Sequence, residues 1–152
     1  MTFRLTTEFQ HDGFIAEKFT CDGADISPEL TWTGPPTGTE TLALIMDDPD
    51  APRGTFVHCV LYDVPGGTRS LAQGLAKDRQ LANGARQGRN EFGKIGYNGP
   101  CPPKGASHRY FFKLYALDAN TNLEAGASKS ELERAMKGHI LAQAEISGRY
   151  RH

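Results

Sequence analysis

A chain of 152 residues with 38% hydrophobic and 23% charged residues is one ordinary domain, long enough for a single buried core. Its 17 basic and 18 acidic residues nearly cancel, which argues against a dedicated nucleic-acid binder. The unusual counts are 17 Gly and 9 Pro, punctuation that favours a β-rich, loop-rich fold over a helical bundle.

Near the start, Phe3, Leu5, Thr7 and Phe9 alternate with polar residues, the period of a half-buried strand that ends at the turn His11-Asp12-Gly13. The first 30 residues hold no basic segment followed by an apolar stretch, so no export signal is read there, and no run reaches the roughly 18 apolar residues of a membrane span. Four more runs read as strands: Leu30 to Thr33, Thr41 to Met46, Phe56 to Val64 and Tyr110 to Leu117. The Thr41 and Phe56 runs are almost continuously apolar, as expected of central strands covered on both faces. Between them, Asp47-Asp48-Pro49-Asp50-Ala51-Pro52-Arg53-Gly54 forces a loop. A long glycine-rich segment from Pro65 to Ser107 has little periodicity, apart from a short helix expected at Ser70 to Leu75. A helix is expected to start at Ser128 or Ser130, each with Glu three positions on, and to end at Gly138. Ile140 to Tyr150 alternates as a last strand. Nothing divides residues 1–152 into more than one domain. Three cysteines, Cys21, Cys59 and Cys101, are an odd number without a visible signal; this points away from disulfides and toward a reducing, cytoplasmic setting. Zinc would have to recruit scattered ligands such as Cys101 and His108, so no metal site and no cofactor is expected.

Taken singly, the polar residues have bland readings. Asp48 before Pro49 suits an Asx turn, His58 a satisfied core histidine, Arg109 a structural ion pair, and Cys101 a small buried hydrophobe. A catalytic reading would pair Cys101 with His108 as nucleophile and base, or Asp48 with His58 as part of a triad, but there is no GxSxG elbow and no evident third group, so no catalytic residue is assigned.

The pieces carry more in order. Phe19-Thr20-Cys21-Asp22-Gly23, Ile26 to Trp32, the Asp48 to Pro52 loop, Phe56-Val57-His58, Phe92 to Tyr97, the Gly99-Pro100-Cys101-Pro102-Pro103 loop, His108-Arg109-Tyr110 and Gly138 to Ala142 follow one another from Gly13 to Tyr150 as in a single family. The chain resembles the phosphatidylethanolamine-binding protein family, also known for the Raf kinase inhibitor protein, and most closely its short bacterial branch. That resemblance implies a mainly β fold, a large antiparallel sheet packed against a smaller one, with one or two short helices near the C-terminus. It also implies an anion pocket built from Asp48, Pro52, His58, Gly99, Pro100, Cys101, Pro102, His108 and Tyr110, a cis peptide in the Asp48 to Pro52 loop, and a homodimer. The implied partners are a phosphate-bearing small molecule or head group, or a kinase or phosphorylated protein. One departure stands out: Cys59 occupies the place after the pocket histidine where the bacterial branch commonly has Trp. Strict alternation along the strand would turn Cys59 away from His58.

Overall fold

The computed structural model describes residues 2–152. Eleven short elements make two sheets and one helix. In chain order these are β1 (Arg4–Thr7), β2 (Gly13–Phe14), a 3-10 turn (Glu17–Phe19), β3 (Leu30–Thr33), β4 (Thr41–Asp48), β5 (Phe56–Pro65), β6 (Ser70–Leu71), β7 (Arg86–Gln87), β8 (Ser107–Leu117), α1 (Lys129–Met136) and β9 (Ile140–Arg151). The small sheet has the order β1-β3-β6 and the large one β2-β9-β8-β4-β5-β7. All pairings are antiparallel except β2 with β9.

Central β4 is buried along its whole length because both of its faces are covered. Leu42, Leu44 and Met46 face Leu5, Leu30, Trp32 and Leu71 of the small sheet, together with Phe112 and Leu114 of β8. Ala43 and Ile45 face the other way, onto Leu132 and Met136 of α1. The helix begins where the sequence places it: Ser128 Oγ accepts the Glu131 N–H at 3.1 Å, and Glu131 returns a bond to the Ser128 N–H at 3.0 Å. On this side Asp47 is buried and neutralised by Lys113 Nζ at 3.3 Å and Lys129 Nζ at 3.0 Å, which ties the start of the helix to the sheet.

Four expectations need correction. Cys21 and Cys101 form a disulfide across a sequence separation of 80, leaving the buried Cys59 as the free thiol. Two cysteines so far apart carry no local spacing signal, an odd total hides the pair, and the count of three does not mark a reducing compartment. Closing a loop of that span restricts the unfolded chain by roughly 4 kcal/mol on a chain-entropy model. No cis peptide occurs among the described residues, so the Asp48 to Pro52 loop is all trans. Ser70 to Leu75 is not a helix: Ser70 and Leu71 pair with Thr31 and Leu30, and Gly74 N–H is held by the Ser27 carbonyl at 2.8 Å. Leu71 and Leu75 instead both pack against the core from an extended chain.

Strict alternation through His58 and Cys59 does not hold either. Opposite β4, the register of β5 shifts so that Met46 faces Cys59 while Asp47 faces Val57, which leaves His58 as the extra residue of a β-bulge. Val57 and Val60 pack on the helix side, whereas Cys59 packs on the small-sheet side. His58 and Cys59 therefore project to the same side, and Cys59 lies in the core beneath the site rather than behind it.

The long segment before β8 is threaded under the 3-10 turn. Tyr97 Oη donates to the Phe19 carbonyl at 2.6 Å, the Cys21 N–H to the Pro100 carbonyl at 3.1 Å, and the Gly99 N–H to Asp25 Oδ1 at 2.7 Å. The backbones approach so closely that a Cβ on Gly99 would lie 1.9 Å from the Phe19 oxygen. Gly99→Ala must push the strand of chain away from the turn, and overpacking of this kind costs roughly 1–3 kcal/mol. Denaturant unfolding of Gly99→Ala should show at least that loss; wild-type stability in the variant would contradict the close approach.

Candidate anion-binding cavity

The stripe that fills the space between the sheets runs out in polar side chains at one end. Asp48 continues Leu42, Leu44 and Met46 along β4, and His108 continues Leu114, Phe112 and Tyr110 along β8. The bulge aims His58 into the same space from β5. Together with Ala51, Pro52, Phe56, Phe92, Cys101, Pro102 and Pro103 they enclose a cavity of about 220 Å³. That lies below the roughly 300–1,000 Å³ of pockets for drug-sized molecules, so the space suits a small group.

Of the nine residues expected from the sequence, Asp48, Pro52, His58, Cys101, Pro102, His108 and Tyr110 line this cavity. Gly99 and Pro100 are buried one layer behind it and hold the wall in place. Phe56 and Phe92 were not picked out from the sequence as site residues. Their rings lie 4.8 Å apart, and each packs on His58, at 5.1 and 5.5 Å, with Tyr110 on His58 at 5.3 Å. Phe56 lies two residues before His58, a spacing that would normally share its face; Phe92 comes from the aperiodic segment, where no pattern could point to it.

Asp48 does two jobs. Its Oδ1 accepts the Asp50 N–H at 2.8 Å, closing the Asx turn, and its Oδ2 accepts from His108 Nδ1 at 2.7 Å. The carboxylate is thus paired with His108 and not with His58, so the Asp48–His58 half of a triad is not formed. Asp50 is likewise occupied: Arg109 grips it through Nε at 2.9 Å and a terminal nitrogen at 2.8 Å, which holds the Asp50 carboxyl down at about 2. The ion pair read for Arg109 is therefore present and faces outward.

His58 Nδ1 donates to the Asn98 carbonyl at 2.7 Å, and the Asn98 N–H donates back to the His58 carbonyl at 3.2 Å. Asn98 is fixed in turn by Asn90 Nδ2 at 2.8 Å and by donating to Asp25 Oδ2 at 3.2 Å. Asn90 and Asp25 are supports that no local pattern in the residues marks. Burial pushes the His58 imidazole below its ordinary value, against the opposing pull of the Asn98 carbonyl and the Asp48 charge. Burial also raises the Tyr110 phenol, and the negative charge of Asp48 raises it further. The Tyr110 hydroxyl is buried without a hydrogen-bond partner among the described residues.

The nucleophile–base pairing of Cys101 with His108 is absent as well. Cys101 Sγ is bonded to Cys21, and His108 is turned to Asp48; the same fact removes zinc held between Cys101 and His108. Cys59 offers no substitute nucleophile, since burial pushes its thiol up to about 12.

Comparison with known proteins follows the same boundaries. The family model described as phosphatidylethanolamine-binding protein matches residues 5–151. A UPF0098 protein of Aquifex aeolicus is 50% identical over 97% of this chain and 86% of its own length, and one of Methanothermobacter thermautotrophicus is 47% identical over 96% of each. Among solved structures, a phosphatidylethanolamine-binding protein homologue, CT736 of Chlamydia trachomatis, superposes with a TM-score of 0.91 at 39% identity, covering 99% of this chain and 98% of its own. YbcL of E. coli, described as a member of the mammalian PEBP family, gives 0.92 at 31% identity over 100% of this chain and 99% of its own. With a matching family model over nearly its whole length and close relatives on both measures, the chain belongs to the phosphatidylethanolamine-binding protein family.

Proposed function

We propose that the cavity binds small anionic groups, phosphoryl head groups in particular, and that the protein acts by holding such a ligand. The observation that carries this reading is the matched state of the two histidines. Nδ1 of each is already committed to a protein acceptor, Asn98 O for His58 and Asp48 Oδ2 for His108, which leaves Nε2 of each ring for the cavity. A proton on either Nε2 makes it a charge-assisted donor to a ligand oxygen. The nearby carboxylates do not oppose an anion as free charges, because Asp48 is bonded to His108 and Asp50 to Arg109. The aromatic sides formed by Phe56 and Phe92 suit whatever small apolar or cationic group is attached to the anion. On this reading a regulatory role would run through a phosphorylated ligand, a phosphorylated protein or a kinase. A homodimer over the long central segment would cover Phe92, which is 43% exposed.

One observation favours a second reading. The Asp48–His108 pair is also the orienting half of a general base, so a small hydrolase that activates water in the same cavity would use it. Ester and phosphate-ester turnover abolished by His108→Ala would select that reading over simple binding.

Calorimetric titration with sulfate, inorganic phosphate and phosphoethanolamine should give saturable binding. A charge-assisted bond contributes roughly 1.5–3 kcal/mol, so His58→Ala and His108→Ala should each weaken it by about 10- to 150-fold. No saturation at millimolar ligand, or equal affinity in both variants, would sink the proposal.

The pH dependence has a definite sign. Sulfate keeps its charge across the neutral range, so its affinity reports the histidines alone and should fall as pH rises; a flat profile between about pH 5.5 and 8.5 would count against imidazolium donors. Without ligand the sign for stability is opposite. The His58 value is depressed in the folded state, so as pH drops below about 6.5 the unfolded chain takes up a proton that the folded chain does not, and stability falls. Urea unfolding at about pH 7.5 and 5.5 should show a larger loss in wild type than in His58→Gln; equal losses would mean that His58 is not held neutral.

A further inference from the structure

Beside the cavity wall the chain gathers three groups that anion binding leaves unused, next to the wall residue Cys101. Cys21 Sγ, an Asp22 carboxylate oxygen and a His152 ring nitrogen lie within 4.8 Å of one another, and Cys101 Sγ is 2.03 Å from Cys21 Sγ. All four residues are exposed, so both a reductant and an ion in solution can reach them.

The two groups that are not sulfur are already oriented. Asp22 Oδ2 accepts the Tyr150 hydroxyl, and Asp22 Oδ1 lies 2.8 Å from His152 Nε2. His152 Nδ1 lies 2.8 Å from the Pro102 carbonyl oxygen. A carbonyl only accepts, so Nδ1 carries a proton, and in the neutral ring the lone pair is on Nε2. Nε2 then meets the Asp22 carboxylate as an ion pair when the ring carries both protons, and as a bare donor atom beside it otherwise. A backbone carbonyl behind one ring nitrogen with the other presented forward is the outer support that fixes metal-binding histidines.

We propose that reduction of the Cys21–Cys101 disulfide turns this cluster into a zinc site with ligands Cys21, Cys101, Asp22 and His152. Two thiolates, a carboxylate and an imidazole form a donor set suited to tetrahedral Zn²⁺, whose ligands at about 2.0–2.3 Å from the metal stand roughly 3.3–3.8 Å apart. Cys21 Sγ and the Asp22 and His152 donors, within 4.8 Å of one another, must draw together to reach that spacing, and Cys101 Sγ swings in as the fourth ligand once its bond to Cys21 is cut. The electrons come from a dithiol or a phosphine. A dithiol cleaves the S–S bond to two thiols and is itself oxidised to a disulfide; a phosphine does the same and becomes a phosphine oxide, its oxygen taken from water. Coordination then displaces to solvent one proton from each thiol and, where present, the proton between His152 and Asp22.

Cys101 and Pro102 both line the cavity, so the link between Cys21 and Cys101 clamps that wall. The disulfide supplies the clamp in an oxidising compartment, and the metal supplies it in a reducing one such as the cytoplasm. This inference stands apart from anion binding, since none of its four ligands is a histidine or carboxylate of the cavity.

The test is a titration of the metal-free chain with Co²⁺, before and after reduction with a water-soluble phosphine, followed by competition with Zn²⁺. The expected result is one equivalent of tetrahedral Co²⁺ with thiolate charge-transfer absorption, only after reduction and displaced by Zn²⁺. His152→Ala and Asp22→Asn should each weaken it by more than roughly tenfold, the double variant Cys21→Ser/Cys101→Ser should abolish it, and Cys59→Ser should leave it unchanged. No charge-transfer band in the reduced chain would overturn the proposal. So would undiminished affinity in both His152→Ala and Asp22→Asn, which would mean chelation by two exposed thiols alone, or loss of the band in Cys59→Ser. Should reduction unfold the chain by circular dichroism, recovery of the fold on adding Zn²⁺ supports the site, and failure to recover overturns it.

Discussion

A single extra residue in β5 sets the geometry on which the cavity depends. In a regular strand His58 and Cys59 would face opposite layers, one toward the small sheet and the other toward α1. The bulge opposite Met46 and Asp47 instead brings both to the small-sheet side, so that Cys59 fills the core while His58 lies against Tyr110. Bulges of this kind locally re-aim a side chain at the cost of a ladder bond, and they concentrate beside functional sites. Here the freed His58 ring finds its acceptor in Asn98, from a segment with no strand of its own to pair with.

The rest of the cavity follows from strands ending at the same level. Asp48 and His108 are the terminal members of apolar stripes on neighbouring strands, so the layer that is hydrophobic between the sheets turns polar at its edge without a separate scaffold. Each charged group that results is matched locally: Asp48 by His108 and the Asp50 N–H, Asp50 by Arg109. A buried carboxylate without such partners would be costly, whereas a paired one leaves the outer nitrogens of the histidines available. The stretch between β7 and β8 supplies the remaining wall and is held by Tyr97, Gly99 and the Cys21–Cys101 link rather than by a strand of its own.

Much of this was legible in the residues and the reasons are physical. The apolar runs of β4 and β5, the alternation in β8 and β9, and the Ser128–Glu131 box are local patterns, and local patterns survive folding intact. What escaped was non-local. The bulge arises from pairing with β4 and leaves no mark in the composition of β5; Cys21 and Cys101 meet only after the chain has folded; Phe92 and Asn90 lie in a segment without a period. The Ser70 to Leu75 stretch is expected to be helical, yet Ser70 and Leu71 are claimed by pairing with β3, a contact distant in sequence. The family resemblance located seven cavity residues together, while the partnership of Asp48 with His108 rather than His58 required the register of the sheet.

The most direct measurement is nitrogen NMR of the ring nitrogens of His58 and His108, with and without saturating sulfate at neutral pH. The account predicts a neutral His58 with its proton on Nδ1 and a bare Nε2, and on adding sulfate a change of His58 Nε2 to the protonated, hydrogen-bonded form together with a shift of the His108 Nε2 resonance. A His58 proton on Nε2 in the free protein, or Nε2 resonances that do not move with sulfate, would contradict it.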